Sequence, residues 1–388
     1  MKNCKLFGII VLVAVISLGA CSSPAGGGGG GAGSTGIPDK SWYDPGASSF
    51  IIKTPDELAG LAELVNVDGY NFSGKTVTLG ANINLTAYAS GEGWIPISNI
   101  SCSFLGTFDG GNYTISNLKI DRISEDYQGL FSRVGDGAGD GYVKKVKLTN
   151  VDIKGNSNVG GITGRFFSGS ITDSSVTGTI YGDSVNVGGI AGRVGGTIER
   201  CYSTADVTGY TCAGGITGQI STSAGKVMNC YSSGDITALS NCAGGIAGHI
   251  DTGSSVENCY ATGNVTGNDY VGGIAGLVNG SVTDCAALGN VVTVADPNTY
   301  YGRVAGSNTG SMNTNVACTV RIFQGSSEVM SLLSVGPTTK HGETLSIPDL
   351  NASGTIGGRF TTGNGWTTSN GSLPGFGAVV PMPSNLKP

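Results

Sequence analysis

One pentapeptide, written GGIAG or GGITG, recurs through the middle of the chain at nearly constant spacing. It begins at residues 160, 188, 214, 244 and 272, so successive copies start 26 to 30 residues apart. Degenerate copies flank the series at residues 128–132 (QGLFS) and 302–306 (GRVAG). A fixed period of this length indicates a repeat architecture in which each unit is one small structural module. The glycines that define the motif are Gly160, Gly161, Gly164, Gly188, Gly189, Gly192, Gly214, Gly215, Gly218, Gly244, Gly245, Gly248, Gly272, Gly273 and Gly276.

Two further motifs repeat in step with the pentapeptide, so each repeat offers three short β-type segments. One reads IERCY, VMNCY and VENCY, and the other reads DVTG, DITA and NVTG from residues 206, 235 and 264. A single unit cannot bury its apolar side alone, but stacked units can. We therefore predict an all-β protein, a right-handed parallel β-helix. With rungs ~4.8 Å apart, six or seven copies would form a rod roughly 30 Å long.

The equivalent isoleucines of the repeats should stack in columns inside this rod. A sandwich built from hairpins is the competing arrangement, and it gives no reason for a constant period. The stacked positions are Ile162, Ile190, Ile216, Ile246 and Ile274.

The composition agrees with many short strands joined by tight corners. Of the 388 residues 68 are glycine, and only 12% are charged. Glycine adopts positive φ without steric cost, which suits corners. A net charge of -6 with no basic cluster argues against nucleic acid as a partner.

The N-terminal residues have the pattern of an export signal. Lys2 and Lys5 precede an apolar run at residues 6–18, and the sequence LGAC follows at 18–21. This tetrapeptide resembles a bacterial lipobox, which implies a signal peptide at 1–20 and acylation of Cys21; an ordinary signal peptide with an incidental cysteine is the alternative. Residues 21–48 would then form a Gly-rich tether. We expect a lipid-anchored protein of the bacterial envelope, in the outer membrane or at the cell surface.

A short helix is predicted at the start of the folded region. Thr54 is followed by Pro55 and, three positions on, by Glu57, which together have the pattern of a capping box. Apolar residues then follow at helical spacing up to Asn66. We expect this helix to cover the open end of the rod. The predicted divisions are 49–127 for the cap and first rungs, 128–318 for the repeats, and 319–388 for a closing segment.

The GGIAG and GGITG repeats resemble the GLUG motif of bacterial surface proteins, including non-catalytic regions of some IgA-specific metallopeptidases. Residues 94–97 (WIPI) and 104–115 are similar to the segment that precedes such repeats, and 365–366 and 372–375 to the closing element. The resemblance covers nearly everything after residue 49. It implies a repeat scaffold and does not by itself imply a ligand.

Eight cysteines remain when Cys4 and Cys21 are set aside, and most of them occupy repeat positions. Cys201, Cys230, Cys259 and Cys285 share one position. Cys212 and Cys242 share another, and they are the best placed for a bridge if one forms. We favour buried ladders of free thiols over disulfides.

The sequence offers few groups for catalysis. His249 and His341 are the two histidines, and neither HExxH nor GxSxG occurs. Parallel β-helices often carry polysaccharide lyases and hydrolases, and Asp206 and Asp235 form one adjacent acidic pair at the spacing of a retaining carboxylate pair. Their column continues as Thr179, Asn264 and Asn290, which favours a solvated turn.

Other polar columns and clusters are open to two interpretations. Arg165 and Arg193 continue as Gln219 and His249, a solvated column that could also contact an anionic glycan. Asp136 and Asp140 in DGAGDG form a weak calcium candidate that matches no complete calcium loop. We predict no other metal and no cofactor.

The stretch Asp251 to Ser255 (DTGSS) has the signature of a pepsin-like catalytic aspartate. Such an enzyme needs a second copy, since two carboxylates must share one proton. The chain has no second copy, so we interpret the stretch as a polar connection between strands.

Together these features predict a monomeric, surface-anchored repeat protein with a role in adhesion, binding or envelope structure. Its partners would be the membrane through Cys21 and a host or cell-surface protein or glycan. We expect no catalysis; a polysaccharide-binding or polysaccharide-cleaving protein that uses Asp206 and Asp235 is the alternative.

Overall fold

A computed structural model describes residues 34–221, 224–293, 300–318, 321–325, 327–328 and 335–387. The chain winds into a parallel β-solenoid with three faces, here called sheets A, B and C. Sheet A takes one strand from each turn and has ten strands in the described residues. They are Ser49–Ile52, Thr76–Leu79, Thr107–Asp109, Gly141–Lys144, Gly169–Thr172, Thr197–Glu199, Lys226–Met228, Ser255–Glu257, Ser281–Thr283 and Ser311–Asn313.

Each strand of sheet C begins within one copy of the pentapeptide, and sheet B contains the longest strands. The strands of sheet C are Phe131–Val134, Thr163–Phe166, Ala191–Val194, Thr217–Ile220, Ala247–Ile250, Ala275–Val278 and Ala305–Asn308. The strands of sheet B are Ile83–Asn84, Thr114–Ser116, Lys119–Asp121, Lys147–Gly155, Val159–Gly160, Ser175–Gly188, Tyr202–Ser203, Asp206–Gly214, Tyr231–Ser232, Ile236–Gly244, Tyr260–Ala261, Val265–Gly272, Ala286–Ala287, Val291–Thr293, Tyr301–Gly302, Val316–Cys318, Ile322–Gln324, Ser327–Glu328 and Glu343–Leu345.

The solenoid is longer than the repeats alone predict. Three strands of sheet A lie before residue 128, where the pentapeptide is not recognisable. Ten strands at ~4.8 Å spacing give an axial length of roughly 43 Å. The region before the repeats therefore contributes rungs with strands in sheets A and B, as well as the cap.

The predicted isoleucine column lies in the core, and its backbone holds successive rungs together. All five isoleucines are fully buried. The amide of Ile162 donates to the carbonyl of Ile190 at 2.9 Å, and that of Ile190 donates to Ile216 at 2.9 Å. The same bond joins each following pair, so the repeat unit is one turn of the solenoid.

The glycines of the pentapeptide are required by close backbone contacts between turns. A Cβ on Gly218 would lie within 2.5 Å of the Asn186 backbone, in the preceding turn. Asn186 itself has a φ of 63°, which Asn tolerates better than most residues. The corner of one turn therefore rests directly on the third glycine of the next pentapeptide.

The column of Cys201, Cys230, Cys259 and Cys285 is buried and consists of free thiols, as predicted. The sulfur of Cys230 accepts from the Cys201 amide at 3.4 Å, and its thiol donates to the Met228 carbonyl at 3.2 Å. Each cysteine thus satisfies backbone groups at a corner, where the residue before it has positive φ. Asn315 takes this place after Cys285 and accepts the Cys285 amide at 3.0 Å.

Cys212 and Cys242 are also buried free thiols, so the bridge considered from the sequence is not formed in the structure. Both residues sit in the left-handed region, with φ of 56° and 59°, at equivalent corners of adjacent turns. The neighbouring Cys242 side chain and then burial raise the pKa of the Cys212 thiol well above its usual value.

The predicted capping helix, α1, spans Pro55–Asn66. Thr54 is its N-cap and forms the complete capping box with Glu57. Leu58, Leu61 and Val65 are fully buried against the first rungs. The prediction of a helix that covers this end is confirmed.

The C-terminal segment covers a flank of the solenoid. Its elements are helix α2 at Ile347–Ala352, short 3-10 helices at Thr362–Asn364 and Ser384–Leu386, and an antiparallel pair formed by Ser372–Leu373 and Val380–Pro381. A second apolar core joins this segment to sheet B. Stacked rings of Tyr202, Tyr231 and Tyr260 form the solenoid side of that core, with centroids 4.8 and 5.0 Å apart.

Candidate functional site

The acidic pair Asp206 and Asp235 is used to join adjacent turns. Both carboxylates are exposed at equivalent positions of sheet B. Oδ1 of Asp206 accepts the amide of Asp235 at 2.9 Å, and Oδ1 of Asp235 accepts the amide of Asn264 at 2.8 Å. Asn290 then donates to the Asn264 side chain at 3.2 Å. The column is a polar ladder at a solvated corner.

The calcium candidate is a self-contained turn. Oδ1 of Asp136 accepts the amides of Ala138 and Gly139 at 2.9 and 2.8 Å, and Oδ2 of Asp140 accepts the Tyr142 hydroxyl at 3.1 Å. Within the described ranges, no group of three or more His, Cys, Asp or Glu side chains is placed to hold a metal ion.

The DTGSS stretch connects two strands, as predicted. It lies between Ala247–Ile250 of sheet C and Ser255–Glu257 of sheet A, and Gly253 has a φ of 82° in its turn. The Asp251 carboxylate accepts from Gln219 Nε2 at 3.1 Å and lies 3.2 Å from His249 Nε2. Asp251 is therefore held by side chains of the neighbouring strands.

Three arginines stack on the outer side of sheet C, and we call Arg133, Arg165 and Arg193 the arginine column. The strand register pairs Arg133 with Arg165 and Arg165 with Arg193 on successive rungs. The column runs along the solenoid axis, because stacked strands lie across it. In the following rungs the same register position is occupied by Gln219, His249, Leu277 and Ser307.

The arginine column has almost no partners among the described residues. Arg133 donates through Nη1 to the Ile100 carbonyl at 2.8 Å. The side chains of Arg165 and Arg193 form no ion pair or hydrogen bond with the described residues. The Nε atoms of all three arginines are buried without an acceptor. Three other arginines are paired with carboxylates at 2.6 to 3.0 Å, namely Arg122, Arg200 and Arg321.

Phe167 lies beside the column and contacts two of its members. The guanidinium carbons of Arg133 and Arg165 are 4.6 and 4.0 Å from the centre of the Phe167 ring. Burial and then the charges of Arg193 and Arg133 lower the pKa of Arg165 to about 10, with a smaller opposing effect from Tyr127. The guanidinium groups repel one another, and the structure supplies them with a π-face and no carboxylate.

The continuation of the column is polar at Gln219 and His249 and apolar at Leu277. Asn279 Nδ2 lies 3.0 Å from His249 Nε2, and Thr309 donates to Asn279 Oδ1 at 2.7 Å. Burial lowers the pKa of His249, and the nearby Asp251 opposes that shift. The register position thus changes from three arginines to two hydrogen-bonding side chains and then to a leucine.

Sequence reasoning found part of this site. It placed Arg165, Arg193, Gln219 and His249 in one column but omitted Arg133. The signal was present, because Arg133 follows the degenerate copy QGLFS in the same way as Arg165 follows GGITG. Phe167 gave no signal, since it lies in a connection that varies between repeats. Cys21 and Cys4 lie outside the described residues.

Comparison with known proteins agrees with the repeat assignment. The GLUG motif matches residues 155–181, 183–208 and 240–266. Halomucin of Haloquadratum walsbyi is 33% identical over 148 residues, which are 36% of this chain and 2% of that protein. A candidate Gly-rich membrane protein of Evansella cellulosilytica is 33% identical over 129 residues, which are 32% of this chain and 14% of that protein. The chain thus spans a small part of the length of these relatives.

A solved structure shares the fold. A candidate immunoglobulin A1 protease of Bacteroides ovatus superposes with a TM-score of 0.57 at 22% identity, covering 85% of this chain and 92% of that chain. This likeness concerns architecture. None of the helices in the described ranges combines the length and apolarity that a bilayer-spanning helix needs. The chain carries GLUG repeats, and they form a parallel β-solenoid.

Proposed function

We propose that this GLUG-repeat chain is a surface-anchored binding protein of the bacterial envelope, without catalytic activity of its own. The observation that carries the proposal is the contrast between its acidic and basic groups. The carboxylates of Asp206, Asp235, Asp136 and Asp251 all accept hydrogen bonds from the chain, whereas the side chains of Arg165 and Arg193 have no hydrogen-bond or ion-pair partner in the described residues. Free donors on a rigid flank suit recognition of an anionic partner.

The position of the first described residues supports an arrangement at the membrane. Thr35 donates its amide to Asp56 of helix α1 at 2.7 Å, so the chain enters the solenoid at the capped end. A lipid on Cys21 would place this end toward the membrane, with the later rungs and the arginine column farther out. The GLUG repeats and the membrane protein among the relatives support an envelope location.

Three measurements test this proposal. Intact cells that express the wild-type protein should lose it to external protease, and Cys21→Ala should abolish its labelling by radioactive palmitate. A glycan and matrix-protein array probed with the full-length protein should identify a bound partner. Absence of both surface exposure and any ligand would contradict the proposal.

Polysaccharide cleavage is the alternative function, and it makes a separate prediction. If Asp206 and Asp235 were catalytic, the double variant Asp206→Asn/Asp235→Asn would lose all glycan cleavage. We expect no cleavage by the wild-type protein and unchanged binding by the variant, since asparagine can still accept the amide bonds of this ladder. Cleavage that disappears in the variant would replace our proposal.

A further inference from the structure

We propose that the arginine column binds a linear acidic polysaccharide, with the sugar chain lying along the solenoid axis and its carboxylates contacting successive arginines. This inference rests on the proposed binding function and names the ligand class and the site. The column is a row of three guanidinium groups in strand register, and two of them have no hydrogen-bond or ion-pair partner in the described residues.

The spacing of the column suits a polymer with one charge per sugar. Neighbouring rungs of a parallel sheet are ~4.8 Å apart, which is comparable with the length of one pyranose unit. A chain along the axis therefore passes about one uronate residue over each rung, and the torsions of its glycosidic bonds decide which carboxylates face the arginines. The planar guanidinium fork binds a carboxylate through two parallel hydrogen bonds, which an ammonium group cannot do.

The side chains around the column confine the anion site to the three arginines. Beyond Arg193 the same register continues as Gln219 and His249, whose side chains hold the Asp251 carboxylate at 3.1 and 3.2 Å. A ligand carboxylate is therefore expected at the arginines and not beyond them. Phe167 holds the guanidinium groups of Arg133 and Arg165 over its ring, which orders them before a ligand arrives.

Nucleic acid fits these observations less well. The chain has a net charge of -6, and within the described residues the strands of sheet C place cationic side chains in this register at Arg133, Arg165 and Arg193 only. Phosphates of one strand of B-DNA are ~3.4 Å apart along the axis, which does not match the rungs. A nucleic-acid surface also needs a broader basic patch than one short row.

The test is affinity electrophoresis of the full-length protein in gels that contain polygalacturonate. The double variant Arg165→Gln/Arg193→Gln removes the partner-free charges, and glutamine already occupies this register as Gln219. We expect wild-type protein to be retarded and the variant to bind about tenfold to a hundredfold more weakly, the loss that charge-assisted hydrogen bonds predict. Arg165→Lys/Arg193→Lys, which keeps the charge, should lose most of the same affinity.

A matched control removes two positive charges elsewhere. Lys53 and Lys226 are exposed on sheet A and beside it, away from the column. Lys53→Gln/Lys226→Gln should bind polygalacturonate as the wild type does, and neutral dextran should retard none of the proteins. Circular dichroism and thermal unfolding should show that every variant retains the fold.

Three results would overturn the inference. The first is that polygalacturonate does not retard the wild-type protein. The second is that the Lys53→Gln/Lys226→Gln variant loses as much affinity as the arginine variant. The third is that oligothymidylate binds through the same arginines as tightly as polygalacturonate does. If polygalacturonate fails while the array identifies a neutral glycan or a protein, the inference is wrong and the proposed binding function stands. If the array also identifies nothing and the protein is not at the surface, both fail.

Discussion

Two flanks of the same solenoid carry ladders of stacked side chains, and they differ in what covers them. On sheet B, the rings of Tyr202, Tyr231 and Tyr260 are stacked within 3° of parallel and lie under the C-terminal segment. On sheet C, the C-terminal segment does not contribute to the arginine column, whose described neighbours are Phe167 and the Ile100 carbonyl. In a parallel solenoid, equivalent positions of successive rungs lie above one another. When they hold the same residue type, they form a strip that is apolar or charged according to that residue.

The difference between the flanks follows from solvation. A strip of tyrosine rings exposes a large apolar area, and the chain buries it with its own Trp366, Phe360 and Phe376. The three arginines are half-buried rather than covered by an apolar segment, and the side chains of Arg165 and Arg193 have no hydrogen-bond or ion-pair partner in the described residues. The two flanks are therefore an internal interface and a candidate external one.

The largest expected effect is detachment of the C-terminal segment, residues 346–387, from the stacked tyrosines of sheet B. Trp366 is almost fully buried and contacts both Tyr231 and Tyr260, with ring centroids 6.4 and 5.8 Å away. Replacing Trp366 by Ala should destabilise the docked segment by about 3–5 kcal/mol, as for other buried aromatic residues. Limited proteolysis should then cut within residues 346–387 while the repeats stay intact.

Tyr210→Ala is the matched control, because Tyr210 is 52% exposed on the solenoid. This variant should be as resistant to protease as the wild type. Equal resistance of the Trp366 variant would show that the segment is held by something other than the tyrosine ladder.

A smaller effect is expected at the corner that separates the two flanks. A Cβ on Gly215 would meet the Gly245 carbonyl and the Ser232 hydroxyl of the next turn. Gly215→Ala should therefore destabilise the solenoid by about 1–3 kcal/mol through overpacking. Gly46→Ala is the control, since the nearest atom to its Cβ would be 3.4 Å away. Thermal unfolding should separate the two variants clearly.

The smallest expected effect on stability is at the arginine column, and there the substitution should stabilise the protein. Arg165→Gln removes a charge that is repelled by Arg133 and Arg193, so stability should rise by about 0.5 kcal/mol or less. Added salt should stabilise the wild type more than the variant, because it screens the repulsion. Denaturant unfolding at low and high salt measures both. A clear loss of stability would show that Arg165 has a structural role, and it would weaken its assignment to a binding site.

Much of the scaffold was predictable from the sequence, because a rung is a local unit whose apolar pattern repeats. The spacing of GGIAG predicted the register that stacks Ile162 on Ile190. The capping-box pattern of Thr54 and Glu57 predicted helix α1. The column of Cys201 and Cys230 was also predicted to be buried. Each of these features depends on residues within one turn or on the same position in the next.

The site was predictable only where it followed the repeat. Arg165 and Arg193 were found because they follow the regular pentapeptides, whereas Arg133 follows the degenerate copy QGLFS and was not assigned to the column. The role of Asp206 as an acceptor for the Asp235 amide required the structure, because a column of acidic and amide residues has the same pattern whether it is catalytic or structural.

By itself the sequence determined that the chain forms a stack of equivalent turns, since period and glycine positions act at short range. Only the tertiary structure decided which flank is covered. Tyr260 donates to the carbonyl of Pro374 across 114 residues, and no periodicity links the two. Which flank is covered depends on where the non-repeating C-terminal segment can bury its apolar side chains. That surface, the stacked tyrosines of sheet B, exists only in the folded solenoid.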